Sequence, residues 1–344
     1  VSVVHVAVDA HNLARDDRGI GRYARAVLSR AVRDPGFRWT FVVRDLFPKR
    51  GAVARALEAR DGEVAVARRV PRDADVVWFP WNGTFLRTDA PSVATVHDAA
   101  PFAFPAADAR VRAREQNPFL TTANTARRIL VQSRFTASEV ERRLGVDAAR
   151  IVVTPLAADP VFSPRGVPGE LPAALCGVPY LLHVGAHDER KNTATLIAGF
   201  ERAGADDGLV IAFTRKPPAL PPRGVVVDAS DDGVLAALYR GAALFAAPST
   251  YEGFGLPLLE AMACGAPALA ARAGALPEVG GDAAEYVDRP LDPDAWAHAL
   301  RALLGDDAAR ARLAARGPAR AAEFSWERCT AQTLAVLREV ASLS

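Results

Sequence analysis

The chain has little cysteine, no long apolar run and almost no net charge, and each lack removes a class of protein. Its three cysteines, Cys176, Cys264 and Cys329, are far apart and odd in number. They make neither a metal-binding spacing nor a disulfide framework, which fits a reducing compartment. The opening run Val3-Val4-His5-Val6-Ala7-Val8 is too short and too strand-like for a secretory signal. No uncharged run is long enough to cross a bilayer. The expectation is a cytoplasmic protein, at most peripheral at the inner face of a membrane. The net charge of +2 covers an asymmetry, since residues 1–165 carry 26 Lys+Arg against 18 Asp+Glu, and residues 166–344 carry 16 against 22. A basic first half suits an acidic acceptor or an anionic membrane surface, and charges scattered over a solvated face read equally well. No nucleic-acid partner is expected.

What is present is an ordinary globular composition, 50% apolar and 24% charged over 344 residues. That length favours two domains, because single cores stop growing at ~250–300 residues. Strand-like runs at Val3–Val8, Trp39–Val43, Val76–Phe79, Val93–Val96 and Ile129–Val131 alternate with helical patterns at Tyr23–Ala31 and Thr136–Leu144. The second half repeats the rhythm, with strands at Tyr180–Val184, Leu209–Phe213, Val225–Val227, Leu244–Ala247 and Pro267–Ala270. Helices are expected there at Asn192–Ala203, Asp232–Arg240 and Pro257–Cys264. Such alternation predicts an α/β fold of two doubly wound, Rossmann-like domains with parallel sheets. Six prolines between Pro155 and Pro179 (Pro168 among them) mark the linker. The expected boundaries are residues 1–165, 166–325 and a terminal helix over 326–344. Ligands of doubly wound sheets bind beyond the carboxyl ends of the strands, so the expected site is a cleft where the two domains face each other.

The segment Ser249-Thr250-Tyr251-Glu252-Gly253-Phe254-Gly255-Leu256-Pro257-Leu258-Leu259-Glu260 carries the most chemistry. It follows a strand, so Glu252 and the glycines Gly253 and Gly255 belong at that strand's carboxyl end. Pro257 suits a first helical turn and Gly265 its C-terminal cap. Backbone N–H groups of Gly253, Phe254, Gly255 and Leu256 are placed to meet ligand oxygens. Glu260 sits among Leu258, Leu259, Ala261, Met262 and Ala263 and should be buried. A buried carboxylate needs a partner: a ribose diol would serve, and so would an arginine. Ser249-x-x-Glu252 also fits a capping box, but the glycines and Pro257 delay the helix past it.

Arg190 and Lys191 lie in the run Val184–Asn192, which leads from a strand into a helix, and with Glu189 they also read as solvent-facing charges at a helix start. Cations at that point oppose the helix dipole and suggest an anion, such as the diphosphate of a departing nucleotide. Asp16-Asp17-Arg18-Gly19-Ile20-Gly21-Arg22-Tyr23-Ala24 reads as a loop facing phosphate. Its glycines fit a dinucleotide fingerprint in letters only, since they come about ten residues after the first strand instead of in its tight turn. That argues against a nicotinamide dehydrogenase. His97 and Asp98 lie just past a strand, where a histidine can meet a substrate hydroxyl. His5, His183 and His298 read as structural, and His11 and His187 lie near the expected cleft without a defined role. Asp73-x-Asp75 and Asp292-x-Asp294 have the form of a metal-held diphosphate motif, but neither ends a strand, and no metal is expected.

Together these segments resemble family 4 of the retaining glycosyltransferases, also called group 1, with the GT-B architecture. Glu252 and Glu260 match its paired glutamates. The run Tyr251–Pro257, Arg190-Lys191-Asn192, the Gly19 loop, His97-Asp98, and Pro155-Leu156-Ala157 with Phe162 support the match. The resemblance implies metal-independent transfer of a sugar from a nucleotide-diphosphate donor to a glycan, glycolipid or small-molecule aglycone. Glu260 would hold the ribose, Glu252 the transferred sugar, Arg190 and Lys191 the diphosphate, and His97 the sugar near its reacting carbon. The last helix would cross back to the first domain. Gly185-Ala186 stands where many members have Gly-Arg, and Phe213-Thr214-Arg215-Lys216 lacks the glycine-rich turn common there. Residues 80–125, with Trp81, Asn82, Phe102, Phe104, Arg110, Arg112 and Arg114, form the acceptor region. A closing binding protein without chemistry remains the alternative.

Overall fold

The computed structural model describes residues 3–16, 19–45, 50–60, 64–165, 170–204 and 208–343. Asp17 and Arg18 of the glycine loop and Pro168 of the linker lie outside them. The chain divides into two compact units, residues 1–156 with 325–344, and residues 157–324.

The first unit runs β1 (Val4–Asp9), α1 (Gly19–Ala31), β2 (Phe37–Val42), α2 (Arg50–Ala56), β3 (Ala65–Ala67), β4 (Val76–Phe79) and β5 (Ser92–Val96). It continues with α3 (Ala100–Ala103), α4 (Ala109–Thr125), β6 (Arg128–Val131), α5 (Arg134–Leu144) and β7 (Ile151–Val153). The strands form one sheet in the order β3-β2-β1-β4-β5-β6-β7. Every pairing is parallel. Parallel strands covered on both faces should be apolar throughout; β1, β4 and β5 are buried at every position.

The second unit runs β8 (Tyr180–His183), α6 (Thr193–Ala203), β9 (Val210–Phe213), β10 (Gly224–Val226), α7 (Asp232–Gly241), β11 (Leu244–Ala247) and α8 (Leu256–Ala263). It continues with β12 (Ala268–Ala271), α9 (Leu276–Gly280), β13 (Glu285–Val287), α10 (Pro293–Leu304) and α11 (Asp307–Ala321). Its sheet has the order β10-β9-β8-β11-β12-β13, again parallel. The last helix, α12 (Trp326–Ala341), returns to the first unit. Its apolar face, with Trp326, Leu337 and Val340 buried, packs on α1 and the first sheet. Both sheets are the doubly wound parallel kind that the alternation predicted.

Two expectations are corrected, and further elements had no counterpart in the sequence reading. The first unit ends at Leu156 instead of 165, because Phe162 packs edge-on to Tyr239 and Ser163 O accepts from Arg240, tying this stretch to α7. The first helix starts at Gly19, not Tyr23; glycines argue for loop on propensity, but Gly21 is needed in the helix, since a Cβ there would lie 1.6 Å from Asp16 O. Strands β3, β7 and β13, each three residues and each at a sheet edge, went unpredicted. So did α4, whose first two turns bury nothing. Among the described residues no helix is long and apolar enough to cross a membrane.

Candidate active site

The order of the second sheet reverses between β8 and β11, which are neighbours though far apart in sequence. Crossovers leave such a point in opposite directions and open a crevice at the carboxyl ends of the strands. The loops that leave β8 and β11 are those that carry Arg190-Lys191 and Glu252. They are tied to each other by backbone. Thr250 donates its N–H (2.8 Å) and its hydroxyl (3.2 Å) to Arg190 O. Asn192 Nδ2 donates to Pro248 O (3.2 Å) and Pro290 O (2.7 Å). Asn192 takes a left-handed conformation, φ 52°, which asparagine tolerates better than most residues.

That scaffold sets Lys191 Nζ 2.5 Å from Glu252 Oε1, each side chain only 13% exposed. Burial pushes the Glu252 carboxyl up, but the Lys191 ammonium, hydrogen bonds from Lys191 and Ser249, and the charge of Arg190 outweigh it and hold the group below its usual value. Arg190 Nε lies 3.3 Å from Asp188 Oδ1. Behind Glu252, a Cβ on Gly274 would lie 2.7 Å from the Glu252 N atom, so the turn after β12 must be glycine there. Gly255, at φ 95°, caps α8 and abuts Leu276, where a Cβ would meet Cδ2 at 2.7 Å. Gly253 lies in the turn between Glu252 and that cap, Leu256 opens α8, and Phe254 is buried edge-on against Phe324. The capping-box alternative is excluded, since α8 begins four residues after Glu252.

Glu260 is buried, 4% exposed, inside an otherwise apolar α8. Tyr239 donates its hydroxyl to Glu260 Oε2 at 3.1 Å. The Tyr239 ring is itself held edge-on by Phe162 and Phe245, at 5.9 and 5.5 Å.

His97, Asp98 and Gly19 belong to the first unit. Its sheet reverses between β1 and β4, and His97 follows β5, next to β4. Asn82, after β4, accepts from His97 N–H (2.6 Å) and Asp98 N–H (3.4 Å). The His97 ring packs edge-on to Tyr23 and contacts Pro80 O through Nε2 at 2.9 Å. Burial lowers its pKa, with Pro80 and the charges of Asp98 and Asp16 only partly opposing. The ring is therefore neutral near pH 7, with Nε2–H donated to the carbonyl. Asp98 Oδ1 accepts from Ala100 N–H, opening α3. A Cβ on Gly19 would meet nothing within 4 Å, so that helix start is open.

Within the expected acceptor region, Trp81 is buried and donates to Asp9 O at 2.8 Å, while Phe102 is partly buried and packs on Phe119. Phe104, Arg110 and Arg114 are exposed, while Arg112 donates to Ala106 O. The two Asp-x-Asp motifs do other work: Asp73 pairs with Arg38 and Asp75 accepts from His5 N–H, while Asp292 caps α10 and Asp294 pairs with Arg202. Among the described residues no group of three His, Cys, Asp or Glu side chains is placed to hold a metal ion.

Residue patterns alone missed Tyr239, a polar group that meets Glu260 only through the fold, and did not show that Asn82 would meet the backbone of His97 and Asp98. One signal for Lys191 was available. It is one of three lysines in a chain with 42 basic residues. Where arginine serves nearly everywhere, a lysine marks a place that needs a compact ammonium.

The chain matches known proteins over both units. Residues 4–162 match the model described as Glycosyltransferase Family 4, and residues 225–320 match Glycosyl transferases group 1. It is 35% identical over 267 residues to an O-antigen chain mannosyltransferase B of Escherichia coli, covering 71% of this chain and 69% of that one. It is 35% identical over 225 residues to an MMP alpha-(1->4)-mannosyltransferase of Mycolicibacterium hassiacum, over 60% of this chain and 53% of that one. With a D-inositol 3-phosphate glycosyltransferase of Xylanimonas cellulosilytica it shares 32% over 286 residues, 73% of this chain and 66% of that one. Among solved structures, the sucrose-phosphate synthase of Thermosynechococcus elongatus superposes with a TM-score of 0.73 at 20% identity, over 99% of both chains. Anabaena HepE, in complex with UDP and glucose, superposes at 0.72 and 15%, over 98% of this chain and 100% of that one. Two doubly wound sheets of this order and these matches together place the chain in group 1, family 4 of the glycosyltransferases, on the GT-B fold.

Proposed function

We propose that the chain transfers a hexose or deoxyhexose, with retention of anomeric configuration, from a GDP-, UDP- or dTDP-sugar to an acceptor hydroxyl on a glycan, lipid-linked glycan or natural product. The observation that carries this reading is the Lys191–Glu252 pair at the switch point of the second sheet, with Glu260 buried one turn along the helix that follows. In this reading Glu260 accepts from the ribose diol. Glu252 and the backbone of Gly253, Phe254, Gly255 and Leu256 hold the transferred sugar. Arg190 and Lys191 stabilise charge on the departing diphosphate, whose oxygens gain negative charge as the bond breaks. Neutral His97, its ring held by Pro80 O and Tyr23, is read as the group that meets the sugar near its reacting carbon, and Asp98 and Gly19 as further substrate-binding residues.

The reaction forms a bond from the acceptor oxygen to the anomeric carbon and breaks that carbon's bond to the phosphate oxygen. The departing phosphate takes the acceptor proton on the same face, so Glu252 positions and stabilises charge without forming a covalent bond. Two relatives named as mannosyltransferases favour mannose, which makes GDP-mannose the first donor to test. No metal takes part in this scheme.

Thermal shift with GDP, UDP, dTDP and ADP, without added metal, tests the donor site. A nucleotide at 100 times its Kd stabilises a protein by about 2.7 kcal/mol. One nucleotide should stabilise the chain and fail to stabilise Glu260→Ala. If none registers on the folded protein at millimolar concentration, the donor reading falls. Sugar transfer with the matching donor then separates an enzyme from a protein that only binds.

A further inference from the structure

The loop that carries Arg190 and Lys191 begins in a row of four polar contacts. His183 Nδ1 lies 3.2 Å from Ala246 O, and His183 Nε2 lies 3.2 Å from Thr193 Oγ1. Thr193 Oγ1 lies 3.0 Å from His187 Nδ1, and His187 Nε2 lies 2.7 Å from Arg215 O. Both ends of the row are backbone carbonyls, which only accept. Four hydrogen bonds therefore need four hydrogens. Two neutral imidazoles and one hydroxyl supply three. With three, one contact sets lone pair against lone pair; with a second proton on one ring, all four are made.

The buried His183 is a poor place for that proton, because burial brings its pKa down to about 4, and the neighbouring His187 and Lys191 charges act in the same sense. His187 is partly exposed, at the loop surface. Its ring packs edge-on to Phe213 at the end of β9, 5.9 Å between centroids. The loops after β8 and β9 are joined a second time by Gly185 N–H, which donates to Thr214 Oγ1 at 3.3 Å. The charged or titratable groups on the surrounding elements are His183 on β8, Asp188, Glu189, Arg190 and Lys191 on the same loop, Arg215 and Lys216 after β9, and Glu252 after β11. The first turn of α6 adds no acidic residue.

We propose that His187 is a positioning residue for the donor, an imidazolium that bridges Thr193 and Arg215, locks the loop after β8 to the loop after β9, and adds a fixed positive charge beside Arg190 and Lys191. The proposal rests on the donor site described above. It makes affinity for a nucleoside diphosphate fall as pH rises and the bridging proton is lost. Arg215 O then faces a bare ring nitrogen, or Thr193 cannot serve both rings.

Side-chain nitrogen spectra of the histidine-labelled protein near pH 7, with His187→Gln for assignment, read the proton directly. The expected result is hydrogen on both His187 nitrogens and on Nδ1 alone of His183. A bare His187 nitrogen overturns the proposal. Nucleoside diphosphate affinity near pH 6 and pH 8 provides the second readout, in wild type, His187→Gln and His187→Arg. The nucleotide's own terminal phosphate titrates in this range in all three, so the difference between profiles is what counts. Wild type should lose about tenfold more affinity than either variant across the range, the neutral variant being weak and the charged one tight throughout. Parallel profiles overturn the proposal. Lys191→Ala is the control for the donor site itself: unchanged affinity there sinks the donor reading, and the spectra still decide on the proton.

Discussion

Lys191 and Glu252, 61 residues apart, meet at 2.5 Å because the strands before them, β8 and β11, pair side by side. Any anion bound by Lys191 competes with Glu252 for the same ammonium. The pair keeps both charges compensated in a mostly buried place.

Removing Lys191 should therefore cost stability and turnover. Lys191→Ala leaves a buried carboxylate alone, a change of about 3 kcal/mol for a buried pair. Transfer should fall roughly 100- to 1,000-fold. Glu252 has a depressed pKa in the folded protein. A depressed carboxylate contributes stability above its unfolded value, about 4.3, and loses it as pH falls through the folded value. The gap in melting temperature between wild type and Lys191→Ala should be full where Glu252 is ionised in both proteins and shrink as pH falls, because without Lys191 the buried carboxyl takes up its proton at a higher pH than the paired one. A gap independent of pH would mean the ion pair is not its source.

Tyr239 should act on nucleotide binding through Glu260. Tyr239→Phe removes one hydrogen bond to a buried carboxylate, at a cost of about 1–3 kcal/mol. The expected outcome is weaker nucleotide binding with kcat little changed. The loss should be absent for a nucleotide lacking the ribose hydroxyls. Equal loss for both nucleotides would assign Tyr239 to packing alone.

Two glycines in one helix should behave differently. Gly21→Ala forces a Cβ onto Asp16 O, so the start of α1 must move and the melting temperature should drop. Gly19→Ala meets nothing within 4 Å and should fold as wild type. If Gly19 faces the donor, transfer falls in that variant while melting does not.

Acid should destabilise the protein through its buried histidines. His97 and His183 are neutral when folded, with pKa values lowered by burial, His183 to about 4. The unfolded chain binds protons below about pH 6.5 while these rings do not, so stability falls from there downward. His183 alone accounts for roughly 3 kcal/mol by pH 4. Denaturant titrations at pH 7, 5.5 and 4.5 should show this decline, and a flat profile would contradict buried neutral rings.

Chelation offers a separate check on the chemistry. Transfer should be unchanged after EDTA treatment, since in the proposed scheme Arg190 and Lys191 meet the charge on the diphosphate. A loss restored by a divalent cation would place a metal in that role.

The alternation of apolar runs, the cap residues Pro257 and Gly265, and the buried setting of Glu260 were legible in the sequence. Each is a local property, fixed by spacing along a single strand or helix. The three-residue edge strands β3, β7 and β13 give too short a pattern to read reliably, and the polar α4 gives none. The partners were hidden for a different reason. Which loops meet depends on strand order, and nothing local states that β8 lies beside β11 or β4 beside β5. Tertiary structure alone therefore decided that Lys191 neutralises Glu252, that Tyr239 reaches Glu260 and that Asn82 holds the His97 backbone. It also decided that the last helix closes the first sheet: its apolar face could be read from the sequence, but the surface that buries it is made by residues some two hundred or more positions earlier.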